Sequence, residues 1–234
     1  MLRMGIILTS AAVLALGQGA SAQGQRPAGS NRVPRIMNTD MLQIQVPFLE
    51  TITGPARRVS PRIGGPGQER EYRIDGCELT AITTGTQVNA YRLGLSPTCT
   101  FEMRRLIPNF RPAGSANQVT FAMLAQSFGT EFLPSCLMGC GNAADPAFSI
   151  FGESSRADGS IEVLATAIYN NDQVAAAAER LSGSARRVMS EDAIIDGRFN
   201  CHPRYQELAQ QAFSNVRIRQ ITLGYGLSSE PPRC

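Results

Sequence analysis

The sequence predicts an α+β fold, with two main helices packed on one face of an antiparallel β-sheet that disulfide bonds staple. Three observations predict it: β-like runs fill the first part, a hairpin pattern opens the second part, and two helical segments precede a final strand. This order is typical of helices that lie on one side of an antiparallel sheet. Hydrophobic content of 43% and charged content of 18% are near the average of globular chains, so the sequence can bury a core.

Residues 1–22 have the pattern of a secretory signal peptide. Arg3 precedes an apolar run, and Ala20-Ser21-Ala22 supplies the small residues of a cleavage site. The apolar run is far shorter than the ~20 residues of a membrane span, so no transmembrane segment is predicted. We therefore expect an exported, soluble protein, either periplasmic or extracellular.

The rest of the chain is predicted to be a flexible N-terminus followed by one domain. Residues 23–40 are polar, lack a hydrophobic period and are expected to have no core role. Residues 41–234 form the predicted single α+β domain, with a β-rich part at 41–115 and an α+β part at 116–234. No internal repeat is visible.

Alternating apolar residues and turn signals define the elements of the β-rich part. A short strand is predicted at Leu42–Val46, and a loop rich in proline and glycine at Gly54–Arg70. Three strands follow, at Glu71–Thr84, Gln87–Leu95 and Thr98–Met103.

The α+β part begins with an ambiguous segment and a hairpin. Residues Asn117–Phe128 fit a helix or a strand, and we favour a strand followed by a turn. Ala147–Glu153 and Ser160–Tyr169 alternate on either side of the turn signal Asp158-Gly159, which predicts two antiparallel strands.

Two helices and a strand complete the prediction. An alanine-rich helix over Asp172–Leu181 is expected to end before Gly183. A second helix over His202–Ser214 carries an apolar stripe, and a strand follows over Val216–Tyr225, where a phase shift indicates a bulge or burial on both faces. The stripe comprises Tyr205, Leu208, Ala209, Ala212 and Phe213.

The six cysteines are an even number in a chain with an export signal, which predicts three disulfides. A hairpin would bring Cys77 next to Cys99, and the expected remaining pairs are Cys136 with Cys140 and Cys201 with Cys234. A zinc site is the alternative, because Cys136, Cys140, Cys201 and His202 are zinc ligand types. Three residues separate Cys136 from Cys140, and this wide spacing, together with the predicted export, favours disulfides over zinc binding. We therefore expect no metal and no cofactor.

All 22 basic residues are arginine, and the net charge is +3. This balance is too small to indicate a nucleic-acid partner. Arg217 and Arg219 are two residues apart on the predicted last strand and hence on one face, where they could bind an anion. The alternative is that they solvate an outer sheet face.

Catalytic signatures are weak. His202 is the single histidine in the sequence, and no nucleophile elbow or phosphate-binding loop occurs. Paired carboxylates could act as acid and base, but sequence alone cannot place two of them together. The candidates are Glu153, Asp158, Glu162, Glu191, Asp192 and Asp196.

Two functions remain open. The first is a non-enzymatic exported module that binds a protein or a small anionic ligand, or associates with the envelope. The second is a carboxylate-dependent hydrolase that acts on envelope or extracellular polymers. A cleft with two close carboxylates would favour the hydrolase, and a surface without them would favour binding.

Overall fold

An eight-stranded antiparallel sheet organises the molecule. The computed structural model describes residues 31–63, 65–127, 129–134, 147–154, 161–168, 172–190, 192 and 203–227. The strand order is β1-β2-β3-β4-β8-β7-β6-β5. The strands are β1 Arg58–Pro61, β2 Gln68–Ile74, β3 Cys77–Thr84, β4 Gln87–Gly94, β5 Thr130–Pro134, β6 Ala147–Ser154, β7 Ile161–Ile168 and β8 Gln220–Gly224.

Five α-helices lie within the described residues: α1 Val33–Ile36, α2 Val46–Thr53, α3 Phe121–Ser127, α4 Asp172–Ala185 and α5 Pro203–Phe213. Three short 3-10 helices occupy Thr39–Met41, Met103–Arg105 and Ala116–Gln118. None of the helices in these described ranges has the length and apolar character to cross a membrane.

The last strand joins two meanders into one sheet. β1 to β4 pair in sequence order, as do β5 to β7, and β8 pairs with both β4 and β7. Every residue of β8 from Ile221 to Gly224 is buried. The predicted burial on both faces of this strand is therefore confirmed, as is the α+β class.

One face of the sheet packs against the helices. Side chains alternate between the two faces of each strand, and Leu79, Tyr91, Leu93, Ile221 and Leu223 share one core with the buried side chains of the helices. The last helix, α5, carries the predicted stripe. Its Tyr205, Ala209, Ala212 and Phe213 are buried and its Leu208 is partly buried.

Two predicted local contacts are confirmed. β6 and β7 form the expected antiparallel pair, with Ile150 opposite Ala165. Cys77, at the start of β3, is bonded to Cys99 beyond the end of β4, and their Cα atoms are 5.5 Å apart.

The predicted strand Glu71–Thr84 is in fact two strands separated by a turn. Asp75 and Gly76 both have positive φ, of 51° and 86°, as the central residues of a type I′ hairpin turn require. Arg32 fixes this turn, because its guanidinium lies 2.9 Å from the Asp75 carboxylate and its backbone N–H donates to the same group. Burial raises the pKa of Asp75, but the hydrogen bonds and charge of Arg32 outweigh this effect and hold the pKa below its usual value.

The beginning of the described chain contributes to the core. Val33, Ile36 and Met37 are fully buried, so the expectation that residues 23–40 lack a core role is wrong for this part. The predicted strand Leu42–Val46 is also wrong, since α2 begins at Val46. Pro47 suits the first turn of a helix, where its missing N–H costs nothing.

Three further predictions fail because pairing partners distant in sequence decide the backbone. The loop predicted at Gly54–Arg70 contains β1, which pairs with β2. Thr98–Met103 is no strand and forms a single bridge, between Glu102 and Ser115. Asn117–Phe128 contains a 3-10 turn and α3 in place of the favoured strand.

Two element boundaries also differ from the prediction. α4 continues through Gly183 to Ala185, because the buried face that includes Val174, Ala178 and Leu181 extends to Ala185. The strand predicted to begin at Val216 begins at Gln220, so the preceding residues lie outside the sheet.

Candidate functional site

The sheet face away from the helices carries charged side chains in register. Tyr72 and Leu79 belong to the helix-side core, so their neighbours Glu71 and Thr80 point to the opposite face. Glu71 pairs with Arg58 on β1 and with Thr80 on β3. The register therefore places an arginine, a glutamate and a threonine side by side across three strands.

These residues line a cleft of about 500 Å³ at the β1 end of the sheet. Glu78 lies two residues before Thr80 on β3 and extends the same face. The described lining residues are Arg57, Arg58, Glu71, Tyr72, Glu78, Leu79 and Thr80. Since Tyr72 and Leu79 turn their side chains into the core, the cleft presents two cations, two carboxylates and a hydroxyl.

The ion pair in the cleft is loose. The Arg58 guanidinium is 3.9 Å from the Glu71 carboxylate, and the two side chains are 70% and 46% exposed. Exposed pairs of this kind contribute only about 0–1 kcal/mol to stability. A ligand could therefore exchange partners with both groups at little cost.

A tighter ion pair lies next to the cleft. Arg92 is 3.1 Å from Glu69, and their side chains are 23% and 17% exposed. Arg92 is also opposite Thr80 in the sheet. This pair joins side chains of β2 and β4 on the same sheet face as the cleft residues.

The segment after β8 covers the neighbouring part of this face. Leu227 is fully buried in a small cluster with Ile82, Ala90 and Phe151. The Arg62 guanidinium, in the loop after β1, donates to the carbonyl of Gly226 at 2.9 Å. The bond from Arg62 joins the β1–β2 loop to the segment after β8, at the end of β1 away from the cleft.

On the helix side, a buried tyrosine supports the same strand. The Tyr72 hydroxyl donates to Glu50 of α2 at 3.3 Å. Burial, and then the nearby Glu50 charge, raises the pKa of Tyr72 far above its usual value, so the phenol stays protonated. This bond ties β2 to α2 directly beneath the cleft.

The predicted anion-binding residues Arg217 and Arg219 are both exposed, on the segment between α5 and β8. Val216 and Ile218 alternate with them and are buried, which keeps the two arginines on the outer side. Within the described part of the chain, neither guanidinium forms an ion pair. They remain a candidate anion site, although they do not lie in the sheet as predicted.

Two of the predicted carboxylates are brought together. Glu153 on β6 is directly opposite Glu162 on β7, a register that separates Cβ atoms by about 5 Å. The Glu162 carboxylate accepts a hydrogen bond from the backbone N–H of Leu227. Asp192 is exposed, and Asp158, Glu191 and Asp196 lie outside the described residues.

The remaining predicted disulfides and His202 belong to parts of the chain outside the described ranges. Cys136, Cys140, Cys201 and Cys234 lie outside the described residues, as do His202 and the predicted signal peptide at 1–22. Among the residues that the structure does describe, no group of three or more His, Cys, Asp or Glu side chains could hold a metal ion.

Sequence reasoning missed the cleft residues Arg57, Arg58, Glu71 and Glu78. Two signals were present: adjacent arginines at the start of the exposed strand β1, and charges at alternate positions in β2, where Glu69, Glu71 and Arg73 fall on one face. Both were hidden because the segment predicted as a loop, Gly54–Arg70, contains the two arginines and also the beginning of β2 with Glu69.

Comparison with protein-family models, with curated proteins and with solved structures finds no match to this chain. Function is therefore argued from the site itself.

Proposed function

We propose that this chain is an exported, non-enzymatic binding protein that holds a polar ligand of mixed charge in the cleft between β1 and β3. The observation that supports this proposal is the pairing of exposed, loosely bound opposite charges, Arg58 and Glu71, inside a cavity of about 500 Å³. Small-molecule sites are usually lined by apolar groups with a few polar ones. A charged lining of this kind favours a charged ligand.

The side chains define the chemistry of the ligand. Arg57 and Arg58 offer planar donors that suit carboxylates. Glu71 and Glu78 accept from amines or guanidinium groups, and the Thr80 hydroxyl can donate or accept. A peptide segment that carries both acidic and basic side chains satisfies all of these groups.

Export is the second part of the proposal. It rests on the signal pattern at residues 1–22 and is supported by the bond between Cys77 and Cys99, since structural disulfides persist in oxidising compartments. We place the mature protein in the periplasm or the extracellular medium.

The test is an NMR titration of the mature chain with a hexapeptide that alternates glutamate and lysine. We expect amide shifts on β1 to β3, and we expect Arg57→Ala/Arg58→Ala to weaken binding about tenfold, because charge-assisted hydrogen bonds are lost. Raising the salt concentration should weaken wild-type binding as well, since exposed charges are screened.

The matched control is Arg217→Ala/Arg219→Ala, which removes the same charge elsewhere on the surface. Binding that is lost in this control and retained in the cleft variant would move the site to the predicted arginine pair. If no amide of β1 to β3 shifts with the peptide, the cleft is not the binding site.

The second candidate function is a carboxylate-dependent hydrolase, and the juxtaposition of Glu153 and Glu162 favours it. Retaining glycosidases hold two carboxyl groups about 5 Å apart. In this chain the hydrogen bond from Leu227 gives Glu162 a structural role as well. Glu153→Gln and Glu162→Gln should each abolish hydrolysis of a labelled polysaccharide by the wild type if the enzymatic proposal holds. Turnover in both variants equal to that of the wild type would exclude this pair.

A further inference from the structure

A side chain from α5 occupies the outer edge of the sheet. β5 is an edge strand, paired with β6 on one side. The backbone N–H of Phe132, at the middle of β5, donates to the side-chain oxygen of Gln206 at 2.7 Å. The side-chain nitrogen of Gln206 donates in turn to the carbonyl of Phe132 at 3.0 Å.

This pair of bonds reproduces the contact that another strand would make. In an antiparallel ladder, alternate residues direct both backbone groups away from their neighbour, and the next strand supplies one acceptor and one donor. The carboxamide of Gln206 supplies the same two groups to Phe132. Pro134, two residues after Phe132 on β5, directs its backbone to the same side and has no N–H to donate.

The opposite edge of the sheet, β1, is protected by its short length and by a proline. Arg62 donates its backbone N–H to Gly67 on the β2 side, so by alternation Val59 and Pro61 of β1 face outward. Pro61 lacks an N–H, and β1 has four residues, which leaves little for a further strand to bind. On β5, Thr130 and Phe132 both face outward and keep an N–H, and Gln206 of the distant helix α5 covers the central one, Phe132.

We propose that Gln206 closes the β5 edge against addition of β5 from a second copy of this chain. Without Gln206, the β5 edge is suited to pair with β5 of a second copy. A twofold axis at Phe132 would let the two Phe132 residues exchange both backbone hydrogen bonds. Gln206 makes these bonds within one molecule, where no association entropy opposes them.

The test compares Gln206→Ala with the wild type and with Gln210→Ala, an exposed residue one turn further along α5. Native-state hydrogen exchange at the Phe132 amide should become at least about tenfold faster in dilute Gln206→Ala. Light scattering at rising protein concentration should then show growth in mass that the wild type and Gln210→Ala do not show. An unchanged Phe132 amide and an unchanged mass would overturn the proposal.

A second pair of variants keeps the test decisive if Gln206→Ala folds poorly. A carboxylate at position 206 can accept from Phe132 but cannot donate, whereas a protonated carboxyl group can do both. Gln206→Glu should therefore self-associate at pH 7 and return to the wild-type mass below about pH 4. Gln210→Glu carries the same charge on the same helix, so an identical pH response in this control, or none in Gln206→Glu, would overturn the proposal.

Discussion

Replacing Phe213 with alanine tests how the last helix is joined to the sheet. Phe213 is fully buried, and its ring meets that of Phe121 edge to face at a centroid distance of 6.0 Å. Phe121 in turn stacks on Phe132 of the edge strand at 5.6 Å. Truncation of a buried phenylalanine to alanine lowers the free energy of unfolding by about 3–5 kcal/mol. Because the edge-to-face contact is also lost, we expect a value toward the upper end of this range for Phe213→Ala.

Urea unfolding followed by circular dichroism measures this loss. With an m-value on the order of 2 kcal/mol/M, the midpoint should fall by roughly 1.5–2.5 M. Gln210→Ala, on the exposed side of the same helix, should stay within about 0.5 kcal/mol of the wild type. Leu208→Ala should lie between the two, since Leu208 is partly buried. Equal midpoints for Phe213→Ala and Gln210→Ala would refute the assignment of the helix face.

Three further perturbations test other parts of the fold. Replacing Cys77 and Cys99 together with alanine opens a loop whose ends are 22 residues apart, which should lower the free energy of unfolding by about 3 kcal/mol in urea titrations. Gly224→Ala should cost about 2–4 kcal/mol in the same assay, because at a φ of +147° an added Cβ would clash with the backbone oxygen of Asn89. Gly94→Ala meets no atom within 4 Å and should be nearly neutral. Asp75→Asn should lose at most about 1 kcal/mol at pH 7, because solvent screens this partly exposed pair. The stabilisation by the native carboxylate is fully present above the unfolded-state pKa of about 4 and is lost as the pH falls through the lower pKa of the native group, so the difference should vanish there. A difference that persists in strong acid would contradict the charge argument.

Elements with strong local signals were predictable. The alternation in β6 and β7 and the apolar stripe of α5 each encode their structure within one short window. The Cys77–Cys99 bond followed from a hairpin that was itself predictable. The Asp75-Gly76 turn carried an equally strong signal, and overlooking it merged two strands into one.

Other elements depend on partners far away in the chain. β1 is a strand because β2 pairs with it, since its own sequence is short and ends in proline. α3 forms where its first backbone N–H groups donate to carbonyls before β8, as Phe121 does to Val216 at 3.1 Å. No local pattern could have predicted either contact.

The candidate site was hidden for the same reason, because register creates it. Arg58, Glu71 and Thr80 are neighbours through two strand pairings and are spaced unevenly in the sequence. A search for motifs cannot detect such a row. A search for alternating charge in adjacent strands can, once the strand boundaries are known.

The described surface also indicates where a ligand would bind. One sheet face is occupied by helices, the β1 edge ends in Pro61, and the β5 edge is bonded to Gln206, so strand addition meets an obstacle on both sides. A ligand that uses backbone hydrogen bonds would have to displace these groups. A ligand that uses its side chains needs to displace only the loose pair of Arg58 and Glu71, whose stability contribution is about 0–1 kcal/mol. Recognition through charged side chains on the sheet face opposite the described helices is therefore the binding mode that disturbs this fold least.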